Sequence, residues 1–186
     1  MREGGIGGAN TRTGANYEKV REDLTQFLQY SIKYIQPKDD RSHIYLRQGK
    51  EKKDNNIIAN VYYKNEFYTK FLEPKQVNVN KILSKKLIPD VVVEVINTKF
   101  LGIIEIKNQN TTGTVDEKIQ TCDFKQRQFK KLLVGTGYKF KFIYLLNDWF
   151  RQDRYKDDLD YIKNIVENCD YCINQIPNDL LDGLDE

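Results

Sequence analysis

Apolar residues in this chain fall into short unbroken runs and into stretches of helical period. Val91 to Ile96 and Phe100 to Ile106 are runs of strand length, and Asn97, Thr98 and Lys99 between them are polar enough to turn, which predicts one tight antiparallel hairpin. Asn56 to Tyr63 and Phe140 to Leu146 read as further strands, the second of them buried, and Tyr171 to Ile173 as a short last one. Tyr17, Val20, Leu24, Phe27, Leu28 and Ile35 recur at helical spacing and predict an amphipathic helix over residues 15–35, capped by Thr13. A second helix is predicted over residues 115–134. Val115, Ile119, Phe129, Leu132 and Leu133 make its apolar side, and Lys118, Thr121, Lys125 and Gln128 a polar stripe. A third covers Tyr155 to Val166. Residues 38–86 are less periodic: Glu66 to Leu72 fits strand or helix, and Val79 to Leu87 a short helix. The aromatic cluster Tyr62, Tyr63, Phe67, Tyr68 and Phe71 suits core packing better than base stacking. Ahead of all these lies a glycine-rich arm, residues 1–14, which lacks both the preceding strand and the lysine of a phosphate-binding loop.

Composition narrows the class. At 186 residues the chain has the length of one domain, and 39% hydrophobic with 12% aromatic residues is enough for a core, which excludes a disordered polymer. No apolar run approaches membrane-spanning length and the N-terminus lacks the apolar stretch of a signal peptide, so a soluble, cytoplasmic protein is expected. Three cysteines, an odd number, fit a reducing compartment. Cys169 and Cys172 have the spacing of half a zinc site, but only Cys122 remains to help, so buried thiols are the expectation. The single histidine, His43, excludes phosphodiester chemistries built on paired histidines. Charge is uneven beneath the net +3. Residues 38–86 carry 12 basic and 6 acidic side chains, residues 118–141 carry 7 and 1, and residues 142–186 carry 4 and 11. A polyanion would be held by the first two blocks and repelled by the acidic tail at 177–186.

The chemistry enters with the hairpin. Pro89-Asp90 precedes it and Glu105-Ile106-Lys107 ends it, so folding about Thr98 brings Asp90 across from the Glu105 to Lys107 end. Strand alternation then puts Glu105 and Lys107 on one face and Ile106 on the other. Two carboxylates beside an ammonium can hold Mg²⁺ and position an attacking water, as phosphodiester hydrolysis requires. An acid two residues before a lysine also occurs at Glu51, Glu73, Asp116 and Asp123. Only the copy at 105–107 ends an apolar strand with a Pro-Asp at hairpin distance. The competing explanation is a surface hairpin with a salt bridge at its end, which gives no reason for charge in register with Asp90.

Helix, hairpin, strand, helix, strand and helix, with Pro89-Asp90 and Glu105-Ile106-Lys107 on the hairpin, resembles the PD-(D/E)XK nuclease superfamily. The segment Gly7-Gly8-Ala9-Asn10-Thr11-Arg12-Thr13-Gly14 leading into a helix with Glu18, and the run Val115 to Lys125, are similar to type II restriction endonucleases. The resemblance implies an α/β restriction-endonuclease-like core, a central mixed β-sheet flanked by helices, in one nuclease domain spanning residues 1–186. It implies that Asp90 and Glu105 bind catalytic Mg²⁺ and that Lys107 orients or activates the water; the Ile106 carbonyl joins the metal ligands in this reading. Glu18 is the candidate for a further acid from the first helix. Arg12, Asn108, Gln109, Lys118 and Lys125 are candidate contacts to double-stranded DNA, and residues 38–86, which match nothing in the family, are the place for a recognition insertion. The restriction reading further implies a homodimer and a DNA methyltransferase encoded nearby. A resolvase or repair nuclease, or a non-catalytic DNA-binding module, are the alternatives on the same fold.

Overall fold

Antiparallel strands need only a tight turn between them, whereas parallel strands need a crossover of a dozen or more residues. The spacing of strands along this chain follows that rule. In a computed structural model, described for Leu28, Ser31 and residues 33–48, 52–109, 115–176 and 178–182, seven strands form one mixed sheet in chain order. They are β1 (Tyr34–Ile35), β2 (His43–Gln48), β3 (Lys52–Tyr63), β4 (Val91–Val95), β5 (Phe100–Lys107), β6 (Lys139–Leu146) and β7 (Cys169–Ile173). β1 to β5 are antiparallel to their neighbours, and β6 and β7 follow β5 in parallel. The helices are α1 (Phe67–Leu72, of π type), α2 (Val79–Ile82), α3 (Val115–Ile119), α4 (Cys122–Leu133), α5 (Lys156–Asp160) and α6 (Asn178–Asp182). Helices on both sides of a central mixed sheet are the architecture the sequence predicts.

Several boundaries differ from the periodicity. The helix expected over residues 15–35 does not reach its predicted end, because Tyr34 and Ile35 pair with Leu46 and Tyr45 as β1; most of that segment, with the glycine-rich arm, lies outside the described residues. The helix expected over 115–134 breaks at Gln120 and Thr121. The Lys118 carbonyl there accepts from the Thr121 hydroxyl (2.7 Å) and the Tyr144 hydroxyl (3.1 Å). The stretch 155–166 is a relay of 3-10, α and π turns, and only Val79–Ile82 of residues 79–87 is helical. Within residues 38–86, β2 and β3 extend the sheet, with Ala59 opposite Val95 and Tyr63 opposite Val91. The aromatic cluster is packing material, with Tyr63, Phe67, Tyr68 and Phe71 all buried.

Alternation along the strands splits the interior into two cores. On one face Val92, Leu101, Ile103, Phe142 and Leu146 pack against Phe67 and Phe71 of α1, Phe129 and Leu132 of α4, and Leu159 of α5. On the other, Val61, Val93, Ile104 and Leu145 pack against Leu28, Tyr34, Ile176, Leu180 and Leu181. The acidic tail is therefore not dispensable decoration, since α6 closes the second core. Gly102 makes the close approach, where an added Cβ would lie 2.9 Å from Leu180 Cδ1. Leu180→Ala should destabilise the fold by about 2–4 kcal/mol, read as a lowered urea midpoint; an unchanged midpoint would show that α6 contributes no packing.

Glu94 interrupts the valines of β4 and points into the first core, where it is 6% exposed. It accepts from Asn60 Nδ2 (2.8 Å), the Tyr138 hydroxyl (2.5 Å) and the Tyr62 hydroxyl. Burial pushes its carboxyl upward, but these donors and the Lys75 ammonium outweigh burial and hold it below its ordinary value of 4.5. Burial and the same carboxylate push Tyr138 up to about 12. A depressed folded pKa contributes stability that is present above the ordinary value and lost as pH falls through the folded one. Glu94→Ala, which strands three donors, should cost about 2–4 kcal/mol. Glu94→Gln should flatten the loss of stability measured by urea unfolding as pH is lowered from 6 towards 3.

Candidate active site

The register of β4 on β5 builds the site. Val91 faces Ile104, so Asp90 and Glu105 are opposite one another one step beyond the ladder and share a face of the sheet. Pro89 stands just outside β4, where its missing N–H costs no ladder bond. Beyond the last pair, the Ile106 N–H donates to Asp90 Oδ2 at 2.8 Å. In an extended strand the N–H and C=O of one residue point to the same neighbour, so the Ile106 carbonyl is directed to the Asp90 side as well. The Ile106 side chain packs on the opposite face, against the second core.

Three ammonium groups surround the two carboxylates. Glu105 Oε1 lies 2.5 Å from Lys107 Nζ and 2.8 Å from Lys125 Nζ, and Oε2 lies 2.9 Å from Lys125 Nζ. Burial pushes the Glu105 carboxyl upward, and the charges of Lys107 and then Lys125 overcome it and hold it below its ordinary range. Lys125 Nζ also reaches the Tyr144 hydroxyl at 3.4 Å, whose pKa is raised by burial and by the Glu105 charge. The third ammonium, Lys64 Nζ, pairs with Asp90 Oδ1, while the Lys64 N–H donates to the Asp90 carbonyl at 3.2 Å. Both carboxylates are thus mostly screened from water and paired with ammonium groups, and the Glu105 carboxyl is held in its charged form.

Of the residues the sequence singles out, Asp90, Glu105, Ile106 and Lys107 converge. Lys125 joins them, so an expected DNA contact is an inner residue of the site: at the margin of the buried stripe Cys122, Gln126, Phe129 of α4, its stem reaches the end of β5. Gln109 is 7% exposed, its N–H donates to Asn147 Oδ1 (3.2 Å) and its carbonyl accepts from Asn147 Nδ2 (2.8 Å), so its backbone secures the loop after β5. Asn108 and Lys118 are exposed. Arg12 and Glu18 lie outside the described residues. Lys64 and Tyr144 escape the sequence reading. Tyr144 shares the strand parity that places Phe142 and Leu146 on the site face, a usable signal, whereas Lys64 is brought in only by the β3–β4 pairing.

Among the described residues no group of three or more His, Cys, Asp or Glu side chains converges. Two carboxylates and a carbonyl form a sparse set of hard oxygens, which fits Mg²⁺, an ion that uses one or two carboxylates and keeps several waters. Zinc would call for nitrogen or sulfur. Cys169 and Cys172 do not supply it, since Cys169 is buried in the first core and Cys172 packs against the second. A family model described as the PD-(D/E)XK nuclease superfamily domain matches residues 26–169. The chain belongs to the PD-(D/E)XK nuclease superfamily. No curated protein and no solved structure matches it. The match runs from before β1 into β7, so in this nuclease domain it takes in the hairpin, α4 and the strands of residues 38–86. The superfamily generally uses divalent metal ions, in keeping with the oxygen donors at the end of its hairpin.

The Lys125 contact is measurable in the free protein. Lys125→Met removes a cation from Glu105 and should raise the Glu105 carboxyl pKa in a ¹³C NMR titration. An unmoved titration would mean that Lys125 does not rest on Glu105 in solution.

Proposed function

We propose that this nuclease domain is a Mg²⁺-dependent type II restriction endonuclease, hydrolysing phosphodiester bonds of double-stranded DNA at a short specific sequence. The observation that carries the catalytic reading is the convergence of Asp90, Glu105 and the Ile106 carbonyl, with Lys107 on Glu105, at one end of the hairpin. Asp90, Glu105 and the Ile106 carbonyl would hold the ion. When bound, Mg²⁺ supplies Lewis-acid polarisation of the phosphate and lowers the pKa of a bound water. Lys107, released from Glu105, orients the attacking water towards phosphorus and balances the charge that builds on the phosphate oxygens. Asp90 is fixed by the Ile106 N–H, which removes the cost of orienting it during reaction. Exposed Lys118, with Asn108, faces the phosphate backbone, and its charge contributes counterion release. Support for the site-specific subtype is the likeness of residues 7–18 and 115–125 to restriction enzymes. Since one site cuts one strand, that subtype entails a homodimer whose two-fold axis matches a palindrome, in a cytoplasm where a cognate methyltransferase protects the host sites.

The test is digestion of unmethylated plasmid with Mg²⁺, followed by end sequencing. Discrete fragments with one shared end sequence are expected; random ends or branch-dependent cuts would replace the restriction reading by a nonspecific or structure-specific one. Asp90→Ala and Glu105→Ala should each abolish cleavage, and Lys107→Ala should slow it by about two to three orders of magnitude, since a positioned charge is worth about 3–4 kcal/mol to a transition state. Undiminished cleavage by purified Asp90→Ala or Glu105→Ala would remove the site from the hairpin.

A further inference from the structure

Both oxygens of Asp90 are engaged. Oδ2 takes the Ile106 N–H, part of the backbone, and Oδ1 takes Lys64 Nζ, the end of a flexible stem. An ion that binds Asp90 therefore meets one partner that cannot leave and one that can. Lys64 is not at Asp90 by the chance sweep of a long side chain. Its backbone is held in the left-handed region at φ 51° and its N–H is bonded to the Asp90 carbonyl. The turn that carries it is stapled, Glu66 accepting the Tyr63 N–H at 2.9 Å and pairing with Lys70 at 2.7 Å. The Asp90 side chain is 16% exposed and that of Lys64 30%, so their attraction is screened far less than that of a surface pair.

Resting on the reading of Asp90 as a metal-holding residue, we infer that Lys64 is a resident counter-ion that a divalent metal must displace, and that arriving DNA assists the exchange. Without nucleic acid, the ammonium keeps Asp90 compensated and competes with the metal for Oδ1. A metal seated beside an undisplaced ammonium would meet like charge at contact range. With a duplex bound, a phosphate oxygen offers the freed ammonium a second anion, on a stem long enough to turn to it. Displacement then costs less, and metal and DNA bind cooperatively. Linkage makes the effect reciprocal, so the metal raises DNA affinity by the same factor. The domain would load its metal chiefly on its substrate.

The experiment titrates Ca²⁺, which seats without supporting turnover, into the full chain by calorimetry, with and without a mixed-sequence duplex. Wild type, Lys64→Met and, as baseline, Asp90→Ala are compared. Lys64→Met should bind Ca²⁺ at least about threefold more tightly than wild type without DNA, and the duplex should tighten its Ca²⁺ binding by a smaller factor than it does in wild type. An unchanged or weaker DNA-free affinity overturns the inference, as does an undiminished duplex effect. Lys81→Met, an equal loss of charge at an exposed position of α2, should leave both quantities as in wild type; if it reproduces the Lys64→Met result, general charge and not exchange is responsible. Where Lys64→Met folds poorly, Lys64→Asn serves, because asparagine tolerates the left-handed backbone. Asp90→Ala binding Ca²⁺ as well as wild type does would instead defeat the metal-site reading itself, a separate failure from loss of the Lys64 effect.

Discussion

The register of β4 against β5 is the constraint from which the rest follows. With Val91 opposite Ile104, one face of the hairpin carries Asp90, Val92 and Glu94 beside Glu105, Ile103 and Leu101, and the other is wholly apolar. A slip by one residue would drive Glu105 and Lys107 into the second core and turn Ile106 into the site, burying charge without partners. The apolar faces thus select the same register that the chemistry needs. The bond from Ile106 N–H to Asp90 Oδ2 secures it at the open end, where the ladder has stopped. β6 then fixes β5 from its other side along its full length, from Phe100 opposite Lys139 to Lys107 opposite Leu146.

That face holds buried carboxylates of two kinds, distinguished by what compensates them. Glu94 is held by three hydroxyl and amide donors from two neighbouring segments, β3 and the turn before β6, side chains whose departure would leave polar groups stranded. Such a network ties β3, β4 and the turn before β6 together and has no exchangeable member. Asp90 and Glu105 are compensated mainly by ammonium groups on four-carbon stems. Those partners can leave at the price of rotamer changes alone, and they carry charge useful to a phosphate. What separates Glu94 from the candidate site carboxylates in this sheet is the mobility of the counter-charge.

Much of this was legible in the sequence, and the limits are physical. The hairpin, the buried strand Phe140 to Leu146, and the grouping of Asp90, Glu105 and Lys107 could be read because strand alternation and a short turn are local. Helix ends were misread where a tertiary partner took over a backbone group: the Lys118 carbonyl is claimed by Thr121 and Tyr144, and Tyr34 and Ile35 are claimed by β2. Lys125 looked like a surface residue because its period places it beside the apolar stripe. Only the packing of α4 over β5 decides whether such a margin faces water or Glu105. Lys64 carried no signal at all, since it lies 26 residues from Asp90 across an irregular segment and reaches it only through the pairing of Tyr63 with Val91. The burial of Gln109 was equally illegible, a polar residue in a loop whose backbone is clasped by Asn147.

The acidic C-terminal segment acquires a reason from the same two-sided sheet. Its charge made it look like a solvated tail, yet Leu180 and Leu181 anchor α6 over the face opposite the site, where Gly102 leaves room for Leu180. A helix that must cover a core needs an apolar side, and its other side is free in composition. Here that side includes Asp179, exposed to water. The charge of that side does not by itself distinguish the two faces, because α5, packed on the site side through Leu159, is acidic too at Asp157, Asp158 and Asp160; what fixes the segment is the apolar surface that Leu180 and Leu181 bury.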